Sequence, residues 1–315
     1  MNIINLAKFL RLFQMHNLKT NFDKVLLHTK RLFEEELDSL GNFQFYKRNP
    51  KMSDIEIISL SILAEAQSID SENLLFSKLR TDYASDFPNL PHRTNYNRRR
   101  RRLQLRIAQV AQYIAELSDE GQSYIIDSVP IPICSNIRIS RSKICKDDQE
   151  VLPSCGYHAS HREYFYGFKL QLLITEKGIP HAAGITTASL HDSQYLPWLL
   201  HDGISNCQLL ADKGYIDMNQ QLNLFETAQI KLITPLRSNM KGVSQWTPKH
   251  RYKRKRVETL FSQLCDQMML KRNYAKSSDG LVTRVLSKIS AAAIMQRINI
   301  QENKPLNHIK HALAA

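Results

Sequence analysis

Three carboxylates fall where acids can do chemistry together. Asp127 closes the apolar run Tyr124-Ile125-Ile126, and Asp212 closes Leu209-Leu210-Ala211. Glu258 sits in Arg254-Lys255-Arg256-Val257-Glu258-Thr259-Leu260-Phe261. Carboxylate oxygens suit Mg²⁺ or Mn²⁺, hard cations that keep several of their waters. Three converging acids can hold two such ions about 4 Å apart, clamping the attacking and leaving oxygens of an in-line phosphoryl displacement. Each acid also has a plainer role: Asp127 and Asp212 as turn residues at strand ends, Glu258 as half of a surface pair with Arg254, a kind worth little.

The elements that must position these acids read as mixed α/β. Tyr124–Ile126 predicts a strand ending at Asp127. Tyr166, Phe168, Leu170, Leu172 and Ile174 alternate with Gly167, Lys169, Gln171 and Leu173, the period of a half-buried strand. Glu176-Lys177-Gly178 turns it back into a partner over Pro180–Ile185. Asp192-Ser193 caps a helix reaching about Leu200. Leu209–Asp212 is a buried strand whose tip carries Asp212. Gly214 permits the sharp exit, and Asp217 with Gln220 makes a capping pair for a helix from about Met218 to Ala228. Lys231–Thr234 is a further strand, stopped by Pro235. Helices follow over about Pro248–Leu270 and Leu281–Ile298. In the former, Val257, Leu260, Phe261, Leu264 and Met268 form the core stripe, with Glu258 at its edge.

Upstream of Ser118-Asp119-Glu120-Gly121 the pattern is helical. Leu6, Phe9, Leu10 and Phe13 have helical spacing, and Phe22–Leu40 reads as a second helix. Ser53-Asp54-Ile55-Glu56 is a capping box opening an apolar helix. Shorter helical pieces cover Ser71–Leu79 and Asp82–Phe87. Arg98, Arg99, Arg100, Arg101 and Arg102 then lead one amphipathic helix marked by Leu103, Ile107, Val110, Ile114 and Leu117. Such a helix can lie against a phosphate backbone, or its arginines can be a solvated basic face.

The 315 residues suggest two domains, and an apolar fraction of 43% is enough for true cores. The net charge of +13 points to a polyanionic partner, nucleic acid first and an acidic membrane second. The N-terminus has no continuous apolar core like that of a signal peptide, and no run approaches a membrane span. Five cysteines, an odd number in a long chain, fit a reducing cytosol better than a disulfide framework.

Asp127-Ser128, Tyr166-Gly167-Phe168-Lys169-Leu170, Leu190-His191-Asp192-Ser193, Ala211-Asp212-Lys213-Gly214-Tyr215 and the Glu258 segment, in this order, resemble the DDE transposases of bacterial insertion sequences. The closest resemblance is to the insertion-sequence nine-eighty-two family, to which Ser53–Leu79 is also similar. Three strands followed by alternating helices and strands is likewise the order of a ribonuclease-H-like fold. The resemblance implies a helical DNA-binding region over residues 1–118, a ribonuclease-H-like catalytic domain over 119–300 and a tail over 301–315. It implies Asp127, Asp212 and Glu258 as catalytic metal ligands, Mg²⁺ or Mn²⁺ as the ions, and cutting and joining of double-stranded DNA at terminal inverted repeats. It also implies pairing of two or more copies on DNA, and a bacterial cytoplasmic, nucleoid-associated location. Related families carry Tyr-x-x-Arg-x-x-x-Glu-x-x-x-x-x-x-Lys. Here Arg254 keeps its spacing to Glu258, Tyr252 stands one place too close, and Cys265 replaces the lysine.

Lys169, Lys213, Arg254 and Arg256 are candidates for phosphate contacts, or ordinary surface cations. Cys134, Cys145, Cys155, His158 and His161 crowd one segment, but their spacing matches no closed zinc motif, so no Zn²⁺ site is expected. His191 reads as a neighbour of a capping Asp rather than a participant at the metals. Trp198 and Trp246 read as packing residues, with base stacking by Trp246 as the alternative. A non-catalytic DNA-binding descendant of a transposase, and a nuclease that cuts without joining, are the competing functions.

Overall fold

The computed structural model describes residues 17–118, 121–147, 151–158, 162–240 and 245–313. The helix expected around Leu6–Phe13 lies outside them, as do Asp119, Glu120 and His161. The chain forms two compact units, one of Met1–Val110, Gln267–Met269 and Thr283–Ala315, the other of Ala111–Asp266 and Leu270–Val282.

The first unit contains α1 (Leu18–Leu32), α2 (Asp54–Ala66), α3 (Glu72–Thr81), α4 (Arg93–Arg102), the start of α5 (Gln104–Ser118) and most of α8 (Ser278–Gln301). Asn17 caps α1 through its side chain. That helix stops at Leu32, well short of the expected Leu40, and turns lead to Gly41 at φ +82°. The Ser53–Glu56 capping box is formed in full, and it opens a helix buried nearly all round. Such a helix needs apolar neighbours on every side. Residues 82–87 form turns rather than the expected helical piece. The single helix expected through the arginine run is broken at Leu103, which is the C-cap of α4. Its Leu117 is 62% exposed, whereas Ile107, Val110 and Ile114 are fully buried.

Glu65 of α2 is buried between two cations of α8. Arg284 Nε donates to it at 3.0 Å, and the Lys288 ammonium reaches its second oxygen. Lys288 also donates to the Met268 carbonyl at 2.5 Å. The two cations hold the Glu65 carboxyl below its ordinary range against the opposing cost of burial. A buried ion group is tolerated only when its remaining lone pairs and protons are satisfied in this way.

The second unit is built on a six-stranded mixed sheet flanked by helices. Its strands are β1 (Ser123–Cys134), β2 (Ser154–His158), β3 (Glu163–Thr175), β4 (Pro180–Thr187), β5 (Gln208–Leu210) and β6 (Lys231–Ile233). β1 pairs antiparallel with β3 and parallel with β5, and β5 pairs parallel with β6. Along its other edge β3 takes β2 against 163–167 and β4 against 168–174, both antiparallel. Tyr124, Ile126, Leu173, Leu196, Leu199, Leu209 and Tyr215 belong to one buried cluster with Leu224 of α6 (Met218–Ala228). α7 (Pro248–Asp266) buries Val257, Leu260, Phe261 and Leu264 and packs on β1.

Several expectations change here. β1 does not end at Asp127 but runs through Pro130 and Pro132 to Cys134. β5 pairs only with Ser123–Ile125, so beyond Ile125 that edge of β1 has no strand on it among the described residues. A proline's missing N–H is harmless on such an edge. β3 is buried on both faces rather than one, with Gln171 fully buried within it. The segment Asp192–His201 is a 3₁₀ helix containing Pro197, and its cap is His191, not Asp192. α7 ends at Asp266 rather than Leu270.

Candidate active site

Asp127 lies in the middle of β1, Asp212 two residues beyond β5, and Glu258 on α7. Parallel pairing of β1 with β5 sets Asp127 beside the chain that leaves β5 for Asp212, and the packing of α7 on β1 brings the glutamate across. Asp127 Oδ1 accepts the Ser128 N–H at 2.9 Å, and Asp212 Oδ1 accepts the Gly214 N–H at 2.7 Å. In each aspartate the other oxygen is thereby left to face inward. Both of those oxygens turn toward Arg254. Its Nη2 donates to Asp127 Oδ2 at 2.8 Å and lies 4.0 Å from Asp212 Oδ2. Its Nη1 is 3.7 Å from Glu258 Oε1, one helical turn along. One guanidinium therefore gathers all three acids.

Burial pushes the Asp127 carboxyl up to about 6; Arg254 works against the shift and Asp212 adds to it. The three carboxylates surround Arg254, whose own pKa they raise against the cost of its burial. Among the described residues, no three or more His, Cys, Asp or Glu side chains stand close enough to hold one metal ion. The acids are thus spaced around a guanidinium. Their chemistry nonetheless suits a hard divalent cation: oxygen donors only, a shared net negative charge, and a positive group already drawn among them.

A second polar layer adjoins the acids, and the sequence alone did not single it out. Lys169, expected to meet phosphate, pairs with Asp192 at 2.7 Å. Gln171 Nε2 donates to the same Asp192 oxygen at 3.0 Å, and the Tyr215 hydroxyl donates to Gln171 Oε1 at 2.5 Å. Burial is the first cause raising the Tyr215 phenol, with Asp192, Asp127 and Asp212 adding to it. A glutamine inside an apolar strand was the available signal. Asp192 is released for this layer because the His191 ring accepts the Ser193 N–H as the cap.

The remaining candidates are dispersed. Lys213 is exposed, and its carbonyl accepts from Arg237 at 3.2 Å. Arg256 donates to the Glu176 carbonyl. In α4 the five arginines divide. Arg100 is 3% exposed and lies 3.5 Å from Glu72 and over the Tyr96 ring. Arg99 pairs with Asp54 at 2.5 Å. Arg98 and Arg102 are exposed and Arg101 is half-buried. Cys134 and Cys155 flank Tyr166 on the strands either side of it, and Cys145 is buried. Trp198 packs on Tyr195 and Trp246 on His250.

No helix among the described residues is long and apolar enough to cross a membrane. The sequence model of a family described as "Transposase DDE domain" matches residues 118–278, just over half of the chain. No curated protein and no solved structure matches it.

Proposed function

The chain belongs to the DDE transposase family, and from that premise we propose that it cleaves and rejoins the ends of a bacterial insertion element of the nine-eighty-two type. Asp127, Asp212 and Glu258 are its catalytic carboxylates. The observation that carries this reading is the convergence of one oxygen from each acid on Arg254. The sheet supports it too: β4-β3-β1-β5-β6, with the first three antiparallel and the last three parallel, is the strand arrangement expected of a ribonuclease-H-like domain.

The three carboxylates would hold Mg²⁺ or Mn²⁺, in two ions, which supply charge at the attacking and leaving oxygens of an in-line phosphodiester displacement. The backbone N–H groups of Ser128 and Gly214 fix the two aspartates so that each presents a single oxygen. Asp127, deep in the sheet, is the acid whose negative charge is least screened by water, so it draws positive charge most strongly. Arg254 is able to exchange a carboxylate for a phosphate, both being groups a guanidinium recognises as a fork. Gln171 and Tyr215 orient Asp192, which holds Lys169 beside the acids. Hydrolysis leaves a 3′-hydroxyl, and attack of that hydroxyl on target DNA joins the strands.

DNA binding by residues 1–118, through the exposed Arg98 and Arg102 with the half-buried Arg101 between them, belongs to the same proposal. So do a catalytic domain over 119–300, a tail over 301–315, pairing of copies on the DNA, and work in the bacterial cytoplasm at the nucleoid. Phosphate contacts by Lys169, Lys213 and Arg256 belong to the same proposal.

The test is cleavage and strand transfer of a labelled duplex bearing the flanking element end, with Mg²⁺ or Mn²⁺. Asp127→Asn, Asp212→Asn and Glu258→Gln should each abolish both steps while binding the duplex like the parent chain. Cleavage surviving in any of the three sinks the assignment. Salt-sensitive binding without cleavage by the parent chain supports the DNA-binding descendant instead.

A further inference from the structure

A cavity of about 470 Å³ opens in the first unit, lined chiefly by Phe43, Tyr46, Asp54, Arg99, Arg102 and Arg106. Two of its three guanidiniums are neutralised: Arg99 by Asp54 at 2.5 Å, and Arg106 by Glu36. Arg102 is exposed and makes no ion pair among the described residues. The wall therefore offers one uncompensated positive charge, the complement of one phosphodiester.

The same wall is aromatic. Arg106 lies 4.6 Å over the Phe43 ring and Arg99 5.2 Å over the Tyr46 ring. The Tyr46 hydroxyl donates to Asp54 at 2.8 Å, which fixes the ring in the wall. Between the lining residues Gln44 and Tyr46, Phe45 is 91% exposed, and Lys47, Arg48 and Lys51 follow it as exposed cations. Every nucleobase has a π-face for such rings, so stacking tolerates any sequence. A volume of this size is that of a small-molecule cleft. It admits a single nucleotide only when that nucleotide has left the base stack.

We propose that this cavity receives one unpaired nucleotide of a DNA strand, its phosphodiester on Arg102 and its base against the Phe43–Tyr46 wall, with the neighbouring base stacked on Phe45. The proposal rests on the reading of the chain as a DNA-handling protein. It adds a site for single-stranded DNA in the helical unit, apart from the carboxylates.

The experiment uses the full chain in EDTA, so that binding is read without cleavage. The probe is a short single strand containing 2-aminopurine, followed by anisotropy and by quenching of the analogue, with the blunt duplex of the same sequence beside it. The parent chain should bind the strand and quench it. Phe45→Ala and Arg102→Ala should each weaken strand binding about tenfold. Arg102→Ala should also lower the slope of log affinity against log salt by about one. Arg138→Ala, which removes an exposed cation of the second unit, should leave strand affinity unchanged. Both test residues are exposed, so circular dichroism should show an intact fold. Failure of the parent to bind the strand, parent-like affinity in both variants, or an equal loss in Arg138→Ala overturns the proposal. Cleavage of element ends without strand binding would refute the cavity alone. Strand binding without cleavage would refute the nuclease reading alone.

Discussion

Replacing Asp127 by Asn should change the pH dependence of stability in a direction and by an amount that the structure sets. The Asp127 carboxyl is pushed up to about 6 from an ordinary 3.8, first by burial and then by Asp212, against the pull of Arg254. Raised above its unfolded value, this acid contributes stability that is fully present below about pH 4 and lost as pH rises through 6. At about 1.36 kcal/mol per pKa unit, the loss amounts to ~3 kcal/mol by pH 7.5. Asparagine has no such titration. The stability of Asp127→Asn relative to the parent should therefore climb by ~3 kcal/mol between about pH 4 and 7.5. Asp202, also pushed up to about 6 by burial, is common to both chains and cancels in the difference. Urea unfolding in a chelator reads the effect, because both tryptophans, Trp198 and Trp246, lie in the unit that contains Asp127. A difference that stays flat with pH, or falls, refutes the account of a carboxylate ionised at a cost inside the sheet.

Two further substitutions probe other parts of the molecule. A Cβ at Gly214 would stand 2.9 Å from Asp212 Oδ1 and 3.2 Å from Asp192 Oδ2. Gly214→Ala should therefore displace the Asp212 carboxylate and reduce cleavage of the labelled duplex about a hundredfold with little change in thermal midpoint; parent-like turnover would refute the tight fit. Lys288→Met removes one of the two cations bound to the fully buried Glu65. It should cost the helical unit about 3–5 kcal/mol in chemical denaturation followed by far-ultraviolet circular dichroism. A loss below about 1 kcal/mol would mean that Arg284 alone compensates the carboxylate.

Much of the candidate site was legible in the chain because it depends on local signals. The runs before Asp127 and Asp212 announced strands, and the Ser53–Glu56 box and the Asp217 cap formed as read. The three candidate acids were singled out by type and order, and Arg254 was read as a neighbour of Glu258 from its four-residue spacing alone. That it also reaches Asp127 depends on a packing between α7 and β1 that no local pattern encodes. Long-range context likewise decided what was misread. The first strand was read as ending at Asp127, whereas β1 runs on through Pro130 and Pro132 along an edge that β5 leaves uncovered. An arginine run reads as a DNA-facing or solvated basic face, yet Glu72 and Tyr96 take Arg100 inward. The break at Leu103 has no glycine or proline to announce it. Gln171 looked like the polar half of an alternation, whereas its partners Asp192 and Tyr215 make it a buried link.

The division of the far edge of β3 between two short strands has a consequence for colloidal behaviour. An unpaired ladder of N–H and C=O groups is a template for accretion by other chains, and long flat rims are the hazard. Here the longest strand is enclosed: β1 covers one side, and β2 and β4 share the other. Among the described residues the rims that remain are those of β2, β4 and β6, of five, eight and three residues, and the side of β1 beyond Ile125, where Pro130 and Pro132 lack donors. β4 begins with Pro180, which lacks a donor. The sheet thus offers only short or proline-interrupted templates for fibril-like growth.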